Sequence, residues 1–304
     1  MRRKRTGFTI VELLAALGII ALMVGLLIPA LSMVRRTAKE VKQKAQFTTI
    51  ELALTAFKND YGDYPPSTIG TSTSYCGAQT LAEALLGWDL LGFHPKSAWR
   101  ADGYDGLTPN GQWTYDPDRV RDDNNDGIPD SFDERKGPYL ELATANAFRV
   151  GDLFSPNSTA LLEPFPFVIC DVFGIKEITV ARGVDPVTGE QVTITEKAGT
   201  PILYYKANTS KKTIDYRAPS DSIYNVYDNH SLLSLGKITN GKPHRLSNHT
   251  VFYGIPADNP PKIGYIQDPK VARLWPYRPG SYILISAGVD GLYGTGDDIR
   301  NFGN

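Results

Sequence analysis

The segment GFTIVELL, residues 7–14, decides how this chain begins. Basic residues occupy positions 2–5 before it, and the run 8–31 carries Glu12 as its one charged side chain. At about 1.5 Å per residue, a helix over this run is about 36 Å long, which is enough to cross a hydrocarbon core of about 30 Å. The sequence therefore predicts a membrane-spanning helix over 8–31, preceded by a basic leader over 1–7.

Glu12 is the informative residue of this helix. An ionisable group inside a membrane span costs about 2.5 to 3.5 kcal/mol at the centre on insertion scales, and less near an end. The carboxylate therefore needs a partner, and we expect none within its own helix. If the chain is cut after Gly7, the new amine of Phe8 in one copy is able to pair with Glu12 of the next. Such pairing requires many copies side by side, which predicts a polymer.

The basic leader, Gly7, Phe8, Thr9 and Glu12, followed by an unbroken apolar run, resemble the processing site of type IV prepilins and type II secretion pseudopilins. The resemblance implies that prepilin peptidase cuts after Gly7 and methylates Phe8, and that Glu12 serves processing or assembly. It also implies a single span in the inner membrane, a cytoplasmic N-terminus, a periplasmic head, and a helix that kinks or melts at Pro29 on assembly.

An ordinary secretory signal peptide or a plain signal anchor is the alternative for this start, with residues 30–32, ALS, as a cleavage site. The apolar run is longer than the usual signal-peptide core of about 7 to 15 residues, and it contains Glu12. Both features favour the prepilin interpretation.

Length and composition set broad limits. With 304 residues and a net charge of −1, the chain can bury one sizeable core or two modest ones and is not a general binder of nucleic acid. Abundant Gly, Pro and Tyr suit a loop-rich β domain outside the cytoplasm. Cys76 and Cys170 are the only cysteines, so either one disulfide or two buried free thiols is predicted.

The amphipathic second half of the long helix is predicted over 32–61. Two apolar stripes with spacings of three and four run along it, and we expect both to pack on a globular head over 62–304. The helix should end at Gly62 and the following prolines. The stripes are Leu31, Val34, Ala38, Val41, Ala45, Thr48 and Leu52, and then Phe47, Ile50, Leu54, Phe57 and Tyr61.

The rest of the chain predicts an α+β fold, with a pilin-like long helix packed on an antiparallel β-sheet head that has large loop-rich insertions. A short helix is expected over 79–91 with Thr80 as N-cap. A loop-rich insertion follows over 92–137. The strands are predicted over 165–173, 178–181, 191–195, 202–206 and 281–286.

Residues 122–133, DDNNDGIPDSFD, have the spacing of a calcium loop. Oxygen ligands recur at loop positions 1, 3, 5, 9 and 12, with a carbonyl at 7 and Gly at 6 for the sharp turn. Part of this loop resembles the calcium repeats of extracellular thrombospondin-type and dockerin-type modules, and an Asp/Asn-rich surface turn is the alternative. The predicted Ca²⁺ ligands are Asp122, Asn124, Asp126, Ile128, Asp130 and Asp133.

A second acidic loop, 286–299, follows the last predicted strand, within the C-terminal segment 286–304. Its glycines allow it to turn back on itself, which is expected to bring Asp290 toward Asp297 and Asp298 around a cation. This loop resembles the C-terminal calcium loop of the major type II secretion pseudopilin, from which the same three residues carry over as Ca²⁺ ligands. A solvated pair of turns is the alternative.

Catalytic signals are weak. His230, His244 and His249 are predicted to be surface residues, and the sequence contains no metalloprotease, nucleophile-elbow or phosphate-loop motif. We therefore predict a structural subunit rather than an enzyme. Its expected partners are further copies of itself, prepilin peptidase, minor pseudopilins and inner-membrane secretion assembly proteins.

Two alternatives to a major secretion pseudopilin remain open. The chain is much longer than that protein, so a minor pseudopilin or a pilin of another pilus fits as well. From a different class, a membrane-anchored protein would use residues 92–137 to bind a polysaccharide or a protein in the presence of calcium, without polymerising.

Overall fold

The computed structural model of the chain describes residues 9–69, 75–104, 114–115, 130–154, 162–184, 191–255 and 262–303. The chain forms two compact units, 1–42 and 43–304. The second unit includes the end of the long helix, because seven positions of the helix between Gln43 and Phe57 are buried among head residues.

Helix α1, Ile10–Tyr61, is continuous and passes through Pro29. An 18-residue window of it has a mean hydropathy of 2.7 with 0% of the window buried, so α1 is long and apolar enough to cross a membrane. The kink or melting implied at Pro29 concerns an assembled fibre, and it stays a prediction. Gly62, with φ of +85°, follows the last residue of α1 as expected.

The head packs against one face of α1. The buried positions recur at spacings of three and four and are Gln43, Gln46, Phe47, Ile50, Ala53, Leu54 and Phe57. The second predicted stripe is therefore confirmed at its buried members. The expectation that the first stripe also covers the head is wrong, because Val41 and Leu52 are 62% and 67% exposed. Positions two residues apart, such as Leu52 and Leu54, differ by about 200° around a helix and point to opposite sides.

Two glutamines fix the buried face of α1 in register. The Gln43 Oε1 accepts the backbone N–H of Val172 at 2.9 Å, and the Gln46 amide donates to the carbonyl of Cys170 at 3.0 Å. The two side chains also bond to each other at 3.0 Å. Buried amides need partners, and these partners are specific backbone groups of the head.

Helix α2, Gly77–Leu86, is shorter than predicted, and every one of its residues is buried. Cys76 rather than Thr80 is its N-cap residue, and Gly87 ends it with φ of +90°. A Cβ at Gly87 would approach the carbonyl oxygen of Gly92 to 2.2 Å, so the chain turns there in a way that only glycine allows.

The strands of the described part are short and antiparallel. In chain order they are β1 Ala147–Arg149, β2 Phe167–Ile169, β3 Lys176–Val184, β4 Gln191–Ala198, β5 Leu203–Lys206, β6 Gly254–Ile255, β7 Lys262–Ile263, β8 Tyr282–Ser286 and β9 Ile299–Arg300. A three-stranded sheet has the order β5-β8-β9, and the other pairs are β1-β2, β3-β4 and β6-β7. The predicted single head sheet is thus divided into several smaller ones.

Single turns of helix connect these strands. They are α3 Asp130–Asp133, α4 Leu142–Ala145, α5 Val150–Leu153, α6 His230–Ser234 and α7 His249–Tyr253, together with 3₁₀ turns at Pro219–Asp221, Val226–Asn229 and Arg245–Ser247.

The sheet β5-β8-β9 lies at the centre of the head, buried on both faces. Tyr204, Tyr282 and Leu284 pack in one hydrophobic cluster with the buried face of α1 and with α2. The alternate residues Leu203 and Ile283 belong to a second cluster on the other side. This alternation follows from the two-residue period of a strand. The structure therefore confirms an antiparallel sheet packed on the long helix.

Candidate functional site

The beginning of α1 is closed by a capping box. Gly7 and Phe8 lie outside the described residues. Thr9, the N-cap residue, donates its backbone N–H to the Glu12 carboxylate at 2.9 Å and its hydroxyl at 2.8 Å, and its hydroxyl oxygen accepts the Glu12 N–H at 3.3 Å. The prediction that Glu12 lacks a partner within its own helix is therefore wrong, because Thr9 satisfies the carboxylate in the single chain.

Exposed side chains follow one heptad-spaced row along α1, both before and after Gln43. We define the outer stripe as the first predicted stripe, Leu31, Val34, Ala38, Val41, Ala45, Thr48 and Leu52, all of which are exposed. Four of its members, Leu31, Val34, Val41 and Leu52, are large apolar side chains that are 45–67% exposed, and such a cluster is typical of an interaction surface. The outer stripe begins at Leu31, where the predicted span ends, and continues to Leu52. It therefore lies beyond the about 20 residues that a membrane crossing requires.

Most of the first predicted calcium loop lies outside the described residues. This applies to Asp122, Asn124, Asp126 and Ile128, and to the side chain of Asp130. Asp133 is described, is exposed, and is the last residue of α3.

The base of the insertion 92–137 is well defined. Phe93 and Lys136 form a β-bridge and exchange backbone hydrogen bonds of 2.8 and 3.0 Å. Beside it, one guanidinium nitrogen of Arg135 contacts both carboxylate oxygens of Asp89 at 2.8 Å, and the two side chains are only 3% and 12% exposed. The guanidinium also lies 5.0 Å from the ring centre of Tyr115. The insertion therefore leaves the head and rejoins it at one anchored point.

The C-terminal loop turns back on itself as predicted. The backbone N–H of Asp290 donates to the carboxylate of Asp297 at 2.9 Å. Gly288 has φ of +66°, and a Cβ there would approach the carbonyl oxygen of Asp297 to 2.2 Å. Glycine at this position is therefore required for the two arms of the loop to meet.

An oxygen group centred on Thr295 lies inside this loop. The Thr295 hydroxyl oxygen is 2.6 Å from Asp297 Oδ1, 3.1 Å from the carbonyl oxygen of Leu292 and 3.4 Å from Asp298 Oδ1. One hydroxyl proton cannot serve three acceptors equally. Carboxylate, hydroxyl and carbonyl oxygens are the ligands that calcium takes, so the chemistry of this group fits Ca²⁺.

The expected convergence of three carboxylates is not what the loop shows. The Asp290 carboxylate accepts the backbone N–H of Leu292 at 2.7 Å. The other oxygen of Asp298, Oδ2, accepts the Gly294 N–H at 2.7 Å and the Tyr265 hydroxyl, and burial raises the pKa of Asp298 to about 6. In the described ranges, no three His, Cys, Asp or Glu side chains are grouped to hold a metal ion. Calcium at either loop stays a prediction.

Cys76 and Cys170 are both free and both buried in the same hydrophobic cluster. The structure therefore has the two buried thiols rather than the disulfide. Burial raises the pKa of the Cys76 thiol to about 12, and it also raises the pKa of the Cys170 thiol well above its usual range. Thiols in this state are packing groups rather than nucleophiles.

The histidines are not all surface residues. His244 is buried, and its Nδ1 accepts the backbone N–H of Tyr293 at 3.2 Å. Burial lowers the pKa of His244 to about 4, so it is neutral and structural. His230 is exposed and His249 half-buried, and their rings surround that of Tyr227.

The comparisons with known proteins bear on the N-terminus. Residues 2–28 match the family model of the prokaryotic N-terminal methylation motif. Together with the long apolar helix, this match indicates a type IV pilin-like or pseudopilin-like N-terminal segment, which fits a membrane-anchored subunit. No curated protein and no solved structure matches the chain.

Proposed function

We propose that the chain is a structural subunit that polymerises through α1 into a pseudopilus or pilus, and that the process it serves is type II protein secretion. The observation that carries this proposal is the outer stripe. A helix that only anchors a protein needs apolar surface within the bilayer, and the outer stripe continues to Leu52, on the side of α1 opposite the face that the head buries. A second copy of the same helix is the partner that covers such a stripe in a polymer.

The outer stripe supplies the driving force for assembly. Fully burying a Leu or Val side chain is worth about 1.5 to 3 kcal/mol. Val34, Val41 and Leu52 each remain more than half exposed in the single chain, so most of that free energy is still to be gained on association. A binding protein that does not polymerise would be expected to have polar residues there.

Glu12 is proposed to set the axial position of each new subunit. After cleavage, its carboxylate pairs with the methylated amine of Phe8 in a neighbouring copy. In the single chain the capping box with Thr9 holds the carboxylate, so the charge has a partner before and after assembly. The proposal places the span in the inner membrane, the N-terminus in the cytoplasm and the head in the periplasm, with prepilin peptidase, minor pseudopilins and inner-membrane assembly proteins as partners.

Ca²⁺ is proposed to stabilise the head. Thr295, Asp297, Asp298 and the carbonyl of Leu292 would hold it in the C-terminal loop, and residues 122–133 would hold a second ion. A bound ion replaces the shared hydroxyl proton as the link between these oxygens. Binding to the folded head alone raises its stability by mass action.

The central test places a charge on the outer stripe. Leu52→Glu should leave the subunit folded and processed but absent from sheared filaments, whereas the matched control Leu52→Met should assemble normally. Filaments from Leu52→Glu in normal amounts would contradict polymerisation through this face. Mass spectrometry of the mature chain should find N-methylphenylalanine at Phe8, and a chain that keeps its basic leader would contradict processing.

A membrane-anchored binding protein is the second candidate. The anchored base of the insertion, with Arg135 held by Asp89 and Tyr115, favours it, because a binding loop needs a fixed support. This candidate predicts single membrane-bound copies of the processed protein, whereas the first predicts long filaments released by shearing.

A further inference from the structure

Glu83, in the middle of α2, is a carboxyl group in the interior of the head. Glu83 is only 2% exposed. The Tyr75 hydroxyl donates to one oxygen and the Ser97 hydroxyl to the other, and the Tyr115 hydroxyl also bonds to the carboxyl group. Tyr75 precedes α2, whereas Ser97 and Tyr115 belong to the insertion 92–137. One carboxyl group thus joins α2 to two separated parts of the insertion.

We propose that Glu83 is a proton-dependent latch: the protonated carboxyl group holds residues 94–104 and 114–115 of the insertion against α2, and loss of the proton releases these two segments. The proposal concerns the head alone and does not depend on polymerisation.

The surroundings of Glu83 favour a neutral group. Its partners in the described part of the chain are hydroxyl groups, which cannot neutralise a carboxylate. The cation of Arg135 is engaged by both oxygens of Asp89. The titratable and charged groups near the latch are Tyr75 and Cys76 before α2, Asp89 after it, and His94, Tyr115 and Arg135 from the insertion.

The neighbouring groups do not titrate in the same range. Burial lowers the pKa of His94, so this imidazole is neutral near pH 7, and its Nδ1 accepts the backbone N–H of Lys96 at 3.2 Å. Burial raises the pKa of Tyr75, Cys76 and Tyr115 above their usual values. Glu83 is therefore the group of this cluster that changes charge near neutrality.

The direction of the effect follows from the two states of the latch. With the insertion closed, burial outweighs the hydroxyl donors and raises the pKa of Glu83 to about 7. With the insertion released, the carboxyl group meets water and its pKa returns toward 4.5. The closed state therefore binds the proton more tightly, so the fraction of released insertion rises as pH increases from about 4.5 to about 7 and is constant above that.

The release is expected to be local. The bridge between Phe93 and Lys136 and the pair of Asp89 with Arg135 do not involve Glu83, and they retain the two ends of the insertion. The segments that should lose protection are 94–104 and 114–115, whose backbone hydrogen bonds include Thr114 N–H to the Gly103 carbonyl at 3.0 Å.

Hydrogen exchange with mass spectrometry on the full chain in detergent tests the latch. Between pH 5 and pH 7.5, the opening constant of the peptides that cover 94–104 and 114–115 should rise on the order of 50-fold after correction for intrinsic exchange. Glu83→Gln, which stays neutral, should abolish this rise. The control Glu141→Gln, at an exposed carboxylate, should keep the parent profile.

Two results would overturn the proposal. One is an opening constant of the parent chain that does not change over this pH range, and the other is a Glu83→Gln chain with the parent dependence. If Glu83→Gln fails to fold, Ser97→Ala decides. It removes a donor that favours the ionised carboxylate, so the midpoint of release must move to higher pH, and an unchanged midpoint rejects the latch.

Discussion

The two faces of α1 predict that folding and assembly can be damaged separately by substitutions only five residues apart. Phe57 is 3% exposed, and its ring centre lies 4.7 Å from that of Tyr61, 5.0 Å from that of Phe93 and 5.8 Å from that of Tyr139. Phe57→Ala leaves a cavity in this aromatic cluster, and it should lower the free energy of unfolding of the head by about 3 to 5 kcal/mol.

Leu52→Ala should have the opposite profile. Because Leu52 is 67% exposed, its truncation should change the free energy of unfolding by less than about 0.5 kcal/mol. On assembly, however, the exposed two-thirds of the side chain is buried against a neighbour. At about 1.5 to 3 kcal/mol for a whole Leu, the loss is about 1 to 2 kcal/mol per subunit, or a factor of about 5 to 30 in the association constant.

The assay pairs two measurements on the same chains. Denaturant titration in detergent, followed by tryptophan fluorescence, gives the free energy of unfolding. Quantification of sheared filaments, relative to membrane-bound subunit, gives assembly. Separate roles for the two faces of α1 are refuted if Leu52→Ala destabilises the head as much as Phe57→Ala does, or if Leu52→Ala assembles as well as the parent.

Three further predictions concern the head. Burial raises the pKa of Asp228 to about 6. Its contribution to the free energy of unfolding, about 3 kcal/mol, is therefore present below about pH 4 and lost as pH rises through 6. Asp228→Asn should flatten this part of the pH–stability profile, measured by denaturant titration. Arg135→Ala leaves the mostly buried Asp89 carboxylate without its cation and should cost about 3 kcal/mol in the same assay, whereas Lys96→Ala, which breaks an exposed pair, should cost less than about 1 kcal/mol. Chelation of calcium should lower the melting temperature of the full chain, and Asp297→Asn should make that decrease smaller; equal melting of the parent with and without chelator would contradict calcium binding.

The sequence predicts the architecture of α1 well because helical spacing is a local property. Phe47, Ile50, Leu54 and Phe57 recur at three and four residues, and each is buried as expected. Spacing alone does not say what covers a face, however. The stripe that includes Leu52 has the same periodicity, and only the position of the head shows that it is left uncovered in the single chain.

The sequence does not predict the buried polar contacts of the fold, because their partners are distant along the chain. Gln43 and Gln46 bond to backbone groups more than a hundred residues away, and such pairs have no local signature. Glu83 is hidden in the same way, since its partners include Ser97 and Tyr115 from the irregular insertion. Their roles appear only when the segments are brought together.

In the candidate sites, too, local features were predictable from the sequence and side-chain contacts were not. Thr9 and Glu12 have the spacing of a capping box, so the intrachain partner of Glu12 was predictable from the sequence. The turn of the C-terminal loop was predicted from its glycines. The Thr295 hydroxyl lies beside Asp297, whereas the Asp290 carboxylate bonds to Leu292 and is not part of that group. Both facts depend on the direction of single side chains, which spacing does not determine.

The pairing of Phe93 with Lys136 gives this head an interchangeable part. Because both ends of the intervening segment meet at one bridge, its length can change away from the residues that contact α2, such as Ser97 and Tyr115, without moving α1, α2 or the central strands. Lengthening such a closed excursion costs only about 0.6 kcal/mol for each doubling. Insertions into this segment should therefore leave the frame of the head unchanged.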